Sequence, residues 1–177
     1  MGYWNSRGLR GSGLEEEINY TNEVYARKNL AIMQKIPTPI TPVEIDREKG
    51  NISRAYFDAK STVDYIGAAQ GIPICFDAKE VSGESLPLRN IHEHQVEFMN
   101  SFQRQGGIAF LLVFFKKYGK YFFLPCEALN EYWTSANKGG RKSIPYRAFD
   151  VNYEIKNQSG VVNYLEAVNT YLMNKGN

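Results

Sequence analysis

The chain has 177 residues, 43% of them hydrophobic, enough for one good core and most economically one domain. A net charge of +2 and a pI near 8.4 give no global field that would hold nucleic acid, so such binding has to come from local clusters. No long apolar span or basic-then-apolar leader is visible, which favours a soluble, cytoplasmic protein without membrane contact, and two distant cysteines, Cys75 and Cys126, are too few for a zinc site and read as buried thiols.

Arg7 and Arg10, set among glycines and a serine, mark residues 1–12 as a flexible basic arm ahead of a single domain over 13–177. From Gly13 to about Lys28 the spacing predicts a helix with Leu14, Ile18, Thr21 and Tyr25 on one stripe and Glu15, Asn19 and Asn22 on the adjoining polar one. Ser12 is placed to cap it, with Glu15 completing a capping box, so Glu15 is either a cap or an outer contact to a metal. Ala31–Ile36 reads as a short strand. Three prolines between Pro37 and Pro42 enforce extended backbone. The polar stretch from Glu44 to Lys60, turning at Gly50-Asn51, suits a projecting hairpin, a helical arm or an ordinary solvated loop.

The run Ile72-Pro73-Ile74-Cys75 has strand character and leads into Phe76-Asp77-Ala78-Lys79-Glu80. Alternation then sends Ile74, Phe76 and Ala78 to an apolar face and Cys75, Asp77 and Lys79 to the other. Two residues of strand rise is roughly 6.6 Å, which suits a hydrated divalent cation at Asp77 and an attacking water near Lys79. With Asp64 as a second carboxylate and the Ala78 carbonyl as a third oxygen ligand, the set fits metal-assisted phosphodiester hydrolysis. The plainer reading of the short motif is a strand end bearing a solvated ion pair.

Ser82–Ser85 reads as a loop, and Asn90 as the cap of a helix running to about Gln105, ended by Gly106-Gly107. Val96, Met99 and Phe102 form its apolar side, while His94 and Gln95 lie near its start, where amides attract phosphate. His92 and His94 fit that role better than metal ligation. Ile108–Phe115 predicts a strand buried on both faces and Tyr121–Leu124 an antiparallel partner. Pro125–Asn137 predicts a helix carrying Leu129, Tyr132 and Trp133. Lys138-Gly139-Gly140-Arg141-Lys142 is the densest basic stretch, either a phosphate-approaching loop or simply a soluble one. Beyond Asn157 a last helix is expected, with Val161, Leu165, Val168 and Leu172 on one stripe.

Arg7-Gly8, Leu14-Glu15-Glu16-Glu17-Ile18-Asn19, Pro37-Thr38-Pro39, Ser61-Thr62-Val63-Asp64-Tyr65-Ile66-Gly67, Phe76-Asp77-Ala78-Lys79-Glu80, Pro87-Leu88-Arg89-Asn90-Ile91-His92-Glu93-His94-Gln95 and Gly140-Arg141-Lys142-Ser143-Ile144 follow one another in this order. In that order they resemble the RecU-type Holliday junction resolvases of Gram-positive bacteria, a branch of the PD-(D/E)XK nuclease superfamily. The resemblance runs from about residue 5 to 145.

It implies an α/β, restriction-endonuclease-like mixed sheet flanked by helices, with a stalk inserted at about 37–60. It also implies Mg²⁺, with Mn²⁺ able to substitute, and a homodimer that nicks a four-way DNA junction in pairs, with a recombinase as a further partner and the nucleoid as its place of work. By position, the resemblance makes Asp64 and Asp77 the metal-binding acids, Lys79 the catalytic lysine and Glu15 the helix acid that completes the site. Arg7, Arg10, His94, Gln95, Lys138, Arg141 and Lys142 are then expected to face DNA, and Tyr121–Leu124 with the final helix to line the dimer surface. The chain departs from the family at the site: members usually carry Glu where Asp77 stands, which draws the carboxylate back by roughly one C–C bond, about 1.5 Å. Two other functions fit the same residues, a nuclease for other branched or duplex DNA and a catalytically weak junction-binding protein that modulates a recombinase.

Overall fold

The structure, a computed structural model, describes residues 13–46, 49–57 and 62–175. Among these the helices are α1 (Gly13–Arg27), α2 (Glu93–Arg104), α3 (Cys126–Asn137) and α4 (Tyr164–Lys175). The strands are β1 (Ile32–Lys35), β2 (Ile40–Asp46), β3 (Asn51–Phe57), β4 (Tyr65–Ala69), β5 (Ile72–Val81), β6 (Ser85–Pro87), β7 (Ile108–Phe115), β8 (Lys120–Pro125), β9 (Ser143–Pro145), β10 (Glu154–Ile155), β11 (Asn157–Gln158) and β12 (Val161–Val162). Arg7, Arg10 and Ser12 lie outside the described residues.

A six-stranded sheet in the order β1-β4-β5-β7-β8-β10 forms the centre, and β5–β7 is its parallel pairing. Parallel neighbours need a long crossover, and α2 lies within it. Helices cover both faces, so β7 has apolar side chains throughout, as its uninterrupted Ile108–Phe115 sequence requires. One core, on the α1 and α4 side, gathers Leu14, Ile18, Ile74, Phe76, Phe110, Phe123 and Tyr164. The other, beneath α2 and α3, gathers Cys75, Val96, Met99, Leu111, Val113 and Leu129. The strand alternation read from Ile74 to Lys79 therefore separates the two cores, and this mixed sheet between helical layers is the fold class expected.

A ladder of rings sets the register. Tyr65 stacks on Phe76 at 4.8 Å and Phe76 on Phe110 at 4.9 Å, close to the spacing of neighbouring strands, and Phe123 continues the row at 4.3 Å from Phe110. Tyr65 pairs with Phe76 in the β4–β5 ladder, so the next residues outward, Asp64 and Asp77, come opposite each other. A slip of one residue would move one acid to the other face and expose the rings, which is why this register is strongly held.

Polar side chains of α1 fasten the helix to its neighbours. Tyr65 donates its hydroxyl hydrogen to Asn19 Oδ1 at 3.0 Å, and Tyr164 donates to buried Asn22 at 2.6 Å. Thr21 Oγ1 accepts from the Val162 amide at 2.9 Å, fastening α1 to the β11–β12 hairpin.

Two helix starts and the place of one strand differ from the sequence reading. Helix α2 starts after His92 because Asn90 sits in a 3₁₀ turn and Ile91 is extended, with φ −114°. Val161 belongs to β12, since Gly160 at φ +82° closes a hairpin there, and α4 begins only at Tyr164. Tyr121–Leu124 is interior rather than an association surface: β8 lies between β7 and β10 and all four side chains are buried. The 40–57 segment is a two-stranded hairpin, β2–β3, turned at Gly50 with φ +63°, and most of its described side chains are exposed, Ile45 and Tyr56 among them.

Candidate active site

Strand β4 pairs only with the first half of β5, Ile72 to Phe76, while β7 accompanies β5 on to Val81. From Asp77 onward, one side of β5 has no neighbouring strand among the described residues. Asp64, just before β4, turns its carboxylate into that opening and accepts the Ala78 amide hydrogen at Oδ2, 2.8 Å away. The N–H and C=O of one strand residue point to the same side, so the Ala78 carbonyl faces this opening too.

Asp77 projects from the α2-facing side of the sheet and its side chain is 0% exposed. Gln95 Nε2 donates to its Oδ1 at 2.7 Å, while Oδ2 forms an ion pair with Lys79 Nζ, two residues along on the same face. Lys79 itself keeps partial access to solvent. Burial pushes the Asp77 carboxyl up to about 7, and the nearby Asp64 charge pushes the same way, while Lys79 pulls it down. With Asp64 close enough to raise Asp77, the two ionised carboxylates make a strained anionic pair. A divalent cation between them relieves that strain, and two carboxylates with a backbone carbonyl are the hard oxygen set that Mg²⁺ or Mn²⁺ takes. Among the described residues no third His, Cys, Asp or Glu joins them.

The other expected residues have partners of their own. Glu15 belongs to the α1 layer, where it pairs with Lys35 of β1 at 2.5 Å. His94 is half-buried, its ring 5.3 Å from that of His92. Gln95, expected to face DNA, is instead 7% exposed and turned inward to Asp77. The sequence held a trace of this role, a Gln three positions into a helix start, where a side chain folds back. Lys138, Arg141 and Lys142 are exposed. Their loop leads into β9, which pairs with β6, the strand that follows β5, and the Lys142 carbonyl accepts from the Leu88 amide at 3.1 Å. Cys75 is buried beside this site with its thiol raised to about 12, and so stays protonated and inert.

Residues 9–170 match the family model of Recombination protein U, RecU. A Holliday junction resolvase RecU of Pediococcus pentosaceus is 41% identical over 173 residues, covering 94% of this chain and 86% of that protein. The Lactococcus lactis protein of the same name is 42% identical over 168 residues, 92% of this chain and 78% of that one. Among solved structures, Archaeoglobus fulgidus Hjc, a Holliday junction resolvase, covers 63% of this chain and 74% of its own at 12% identity, with a TM-score of 0.37 that is too low to bear on the argument.

Proposed function

The chain belongs to the RecU family, and with that membership as premise we propose that it is an endonuclease that resolves four-way DNA junctions in homologous recombination and repair, working in the cytoplasm at the nucleoid. The observation that carries this is the convergence of Asp64 and Asp77 at the open side of β5, with Lys79 next on the same face.

On this reading Asp64, Asp77 and the Ala78 carbonyl hold a divalent cation, Mg²⁺ by preference and Mn²⁺ in its place, with Glu15 outside them. When bound, the cation supplies Lewis acidity, which stabilises charge on the scissile phosphate and makes bound water more acidic. Lys79 orients the attacking water and meets the negative charge that grows on the phosphate as its bond to the leaving sugar oxygen breaks. The buried setting strengthens both effects, because fixed charges act more strongly out of water.

Lys138, Arg141, Lys142 and His94, with Arg7 and Arg10 of the amino-terminal segment, contact backbone phosphates. The β2–β3 hairpin is the stalk that reaches into the junction, its exposed Ile45, Ile52 and Tyr56 available to unpaired or unstacked bases. One active site cuts one strand at a time, whereas a two-fold symmetric junction needs two opposed nicks, so the working form is a C₂ dimer.

The test is a labelled immobile junction beside a linear duplex of the same sequence, with and without Mg²⁺, using wild type, Asp64→Asn and Asp77→Asn. Expected are paired, metal-dependent nicks in the junction alone, lost in both variants while binding persists. Equal cutting of the linear duplex would replace the resolvase with a general nuclease. Binding without any cutting would leave a junction-binding protein.

A further inference from the structure

We infer that the pocket between α3 and the 3₁₀ turn Leu88–Asn90 receives one unstacked nucleotide of the bound junction, its base against Trp133 and its phosphate between Arg89 and Lys142. This deepens the proposed function and rests on its reading of junction DNA as the substrate.

The pocket has a volume of about 600 Å³, within the roughly 300–1,000 Å³ of small-ligand clefts. Leu88 and Ile91, both buried, belong to its apolar wall. Trp133 and Ala136 line it from one face of α3, since residues three apart in a helix are neighbours, and the small Ala136 leaves the space that Trp133 borders. Arg89 and Lys142 complete the lining. The Leu88 amide donates to the Lys142 carbonyl at 3.1 Å, which holds the two basic segments side by side.

Trp133 is half-buried on the core beneath α2 and α3. Among the described residues no other aromatic ring and no cation lies against it, and its indole N–H makes no hydrogen bond. Neither Arg89 nor Lys142 has an ion-pair partner among those residues, whereas Lys79, Lys116, Lys117 and Lys120 each have one. None of the described residues lining the pocket is an acid. An indole face beside two unneutralised cations suits a ligand that is both aromatic and anionic. A nucleotide is both: any base stacks on an aromatic ring, and Arg and Lys neutralise phosphate.

The pocket's place favours a nucleotide within a DNA strand over a free one. Ile91 is followed directly by His92, the N-cap of α2, and Gln95 in the first turn reaches Asp77. A strand whose phosphate lies at Asp64 and Asp77 therefore has a neighbouring nucleotide near the pocket. Drawing a base out of its stack costs least where pairing or stacking is already broken. The exchange point of a junction is such a place and the interior of a linear duplex is not, so the pocket favours junctions.

Cross-linking tests this on the wild-type protein. Iodouracil is placed at successive positions on either side of the cut, in a junction and in a single strand, and irradiated in chelator. Mass spectrometry identifies the residue attached. Junction and duplex affinities of Trp133→Leu, Ala136→Leu and Arg89→Gln are measured alongside, also in chelator. The first keeps an apolar contact without a ring, and the second fills the pocket with a good helix former.

The expected result is a cross-link to Trp133 from a position next to the cut. Junction affinity should fall at least about fivefold in Trp133→Leu and Ala136→Leu, the worth of one stacked base, with duplex affinity within about twofold of wild type. An abasic nucleotide at the cross-linking position should weaken wild type by a like factor and leave Trp133→Leu unchanged. Arg89→Gln should flatten the log–log salt dependence of junction binding by about 0.9. Cross-links only to other residues, or equal losses on junction and duplex, overturn the inference, and the cross-link decides even where a variant does not fold. It also falls if DNA gives no cross-link while a free nucleoside monophosphate quenches the tryptophan fluorescence of wild type and not of Trp133→Leu. The resolvase reading can fail separately: a protein that cuts no junction but cross-links at Trp133 loses the nuclease and keeps the pocket. Paired, Mg²⁺-dependent nicks with no cross-link at Trp133 do the reverse.

Discussion

Replacing Asp77 by Asn should make the metal-free protein gain stability over wild type as pH rises. The Asp77 carboxyl has an ordinary value of 3.8 and is pushed to about 7 in the folded chain, first by burial and then by Asp64. Between roughly pH 4 and 7 the folded state therefore holds a proton that the unfolded chain has lost. Stability contributed by that proton is fully present below the unfolded value and disappears as pH climbs through the folded one. A three-unit shift corresponds to about 4 kcal/mol over the whole window, of which roughly 2–3 kcal/mol falls between pH 5 and pH 8. Asn does not titrate, and its oxygen still accepts from Gln95. The ion pair with Lys79 forms only as Asp77 ionises, and its contribution is already contained in the folded value of about 7. Urea unfolding of both proteins in chelator, at pH 5 and pH 8, measures it. The variant's stability relative to wild type should rise by that amount across the interval. Mg²⁺ at tenfold its dissociation constant should then return about 1.4 kcal/mol to wild type at pH 8 and none to the variant. A difference that stays constant between the two pH values would refute the reasoning, since Asp77 would then not be governed by burial and Asp64.

Lys79→Ala should lower single-turnover junction cleavage by about 10²–10³-fold at saturating Mg²⁺ while affinity for the junction stays level, and a rate near wild type would remove Lys79 from the chemistry. Arg141→Ala with Lys142→Ala should weaken binding of all branched DNAs alike and flatten the dependence of log affinity on log salt by about 0.9 for each phosphate that is no longer neutralised; an unchanged slope would place the loop away from the backbone. Gly67→Ala should destabilise the fold by at least about 2 kcal/mol in urea, because its Cβ would stand 2.0 Å from the Ile32 carbonyl oxygen and 2.6 Å from Met33 Sδ, forcing β1 away from β4. An unaltered midpoint would mean that the β1–β4 edge yields without cost.

Local chemistry alone determined several features of this protein. The uninterrupted apolar run of β7, the αL glycine after α2, the alternation along β5 and the turn at Gly50 each depend on a few neighbouring residues and the period of their element. The joint order of motifs, from Leu14-Glu15 to Arg141-Lys142, identified the family. Helix starts at Glu93 and Tyr164 were harder to read, because an extended Ile91 and a hairpin at Gly160 depend on what the chain packs against afterwards. Tertiary structure alone decided that the aromatic strand Tyr121–Leu124 is interior, since a strand's place in the sheet order is set by partners distant in sequence. It also turned Gln95 inward, because whether a polar side chain in a first helical turn meets solvent or a carboxylate depends on the strand below it. The opposition of Asp64 and Asp77 belongs to both levels: the acids and rings are written in the sequence, but only the antiparallel register locked by Tyr65, Phe76 and Phe110 brings the two carboxylates to one face at one open strand end.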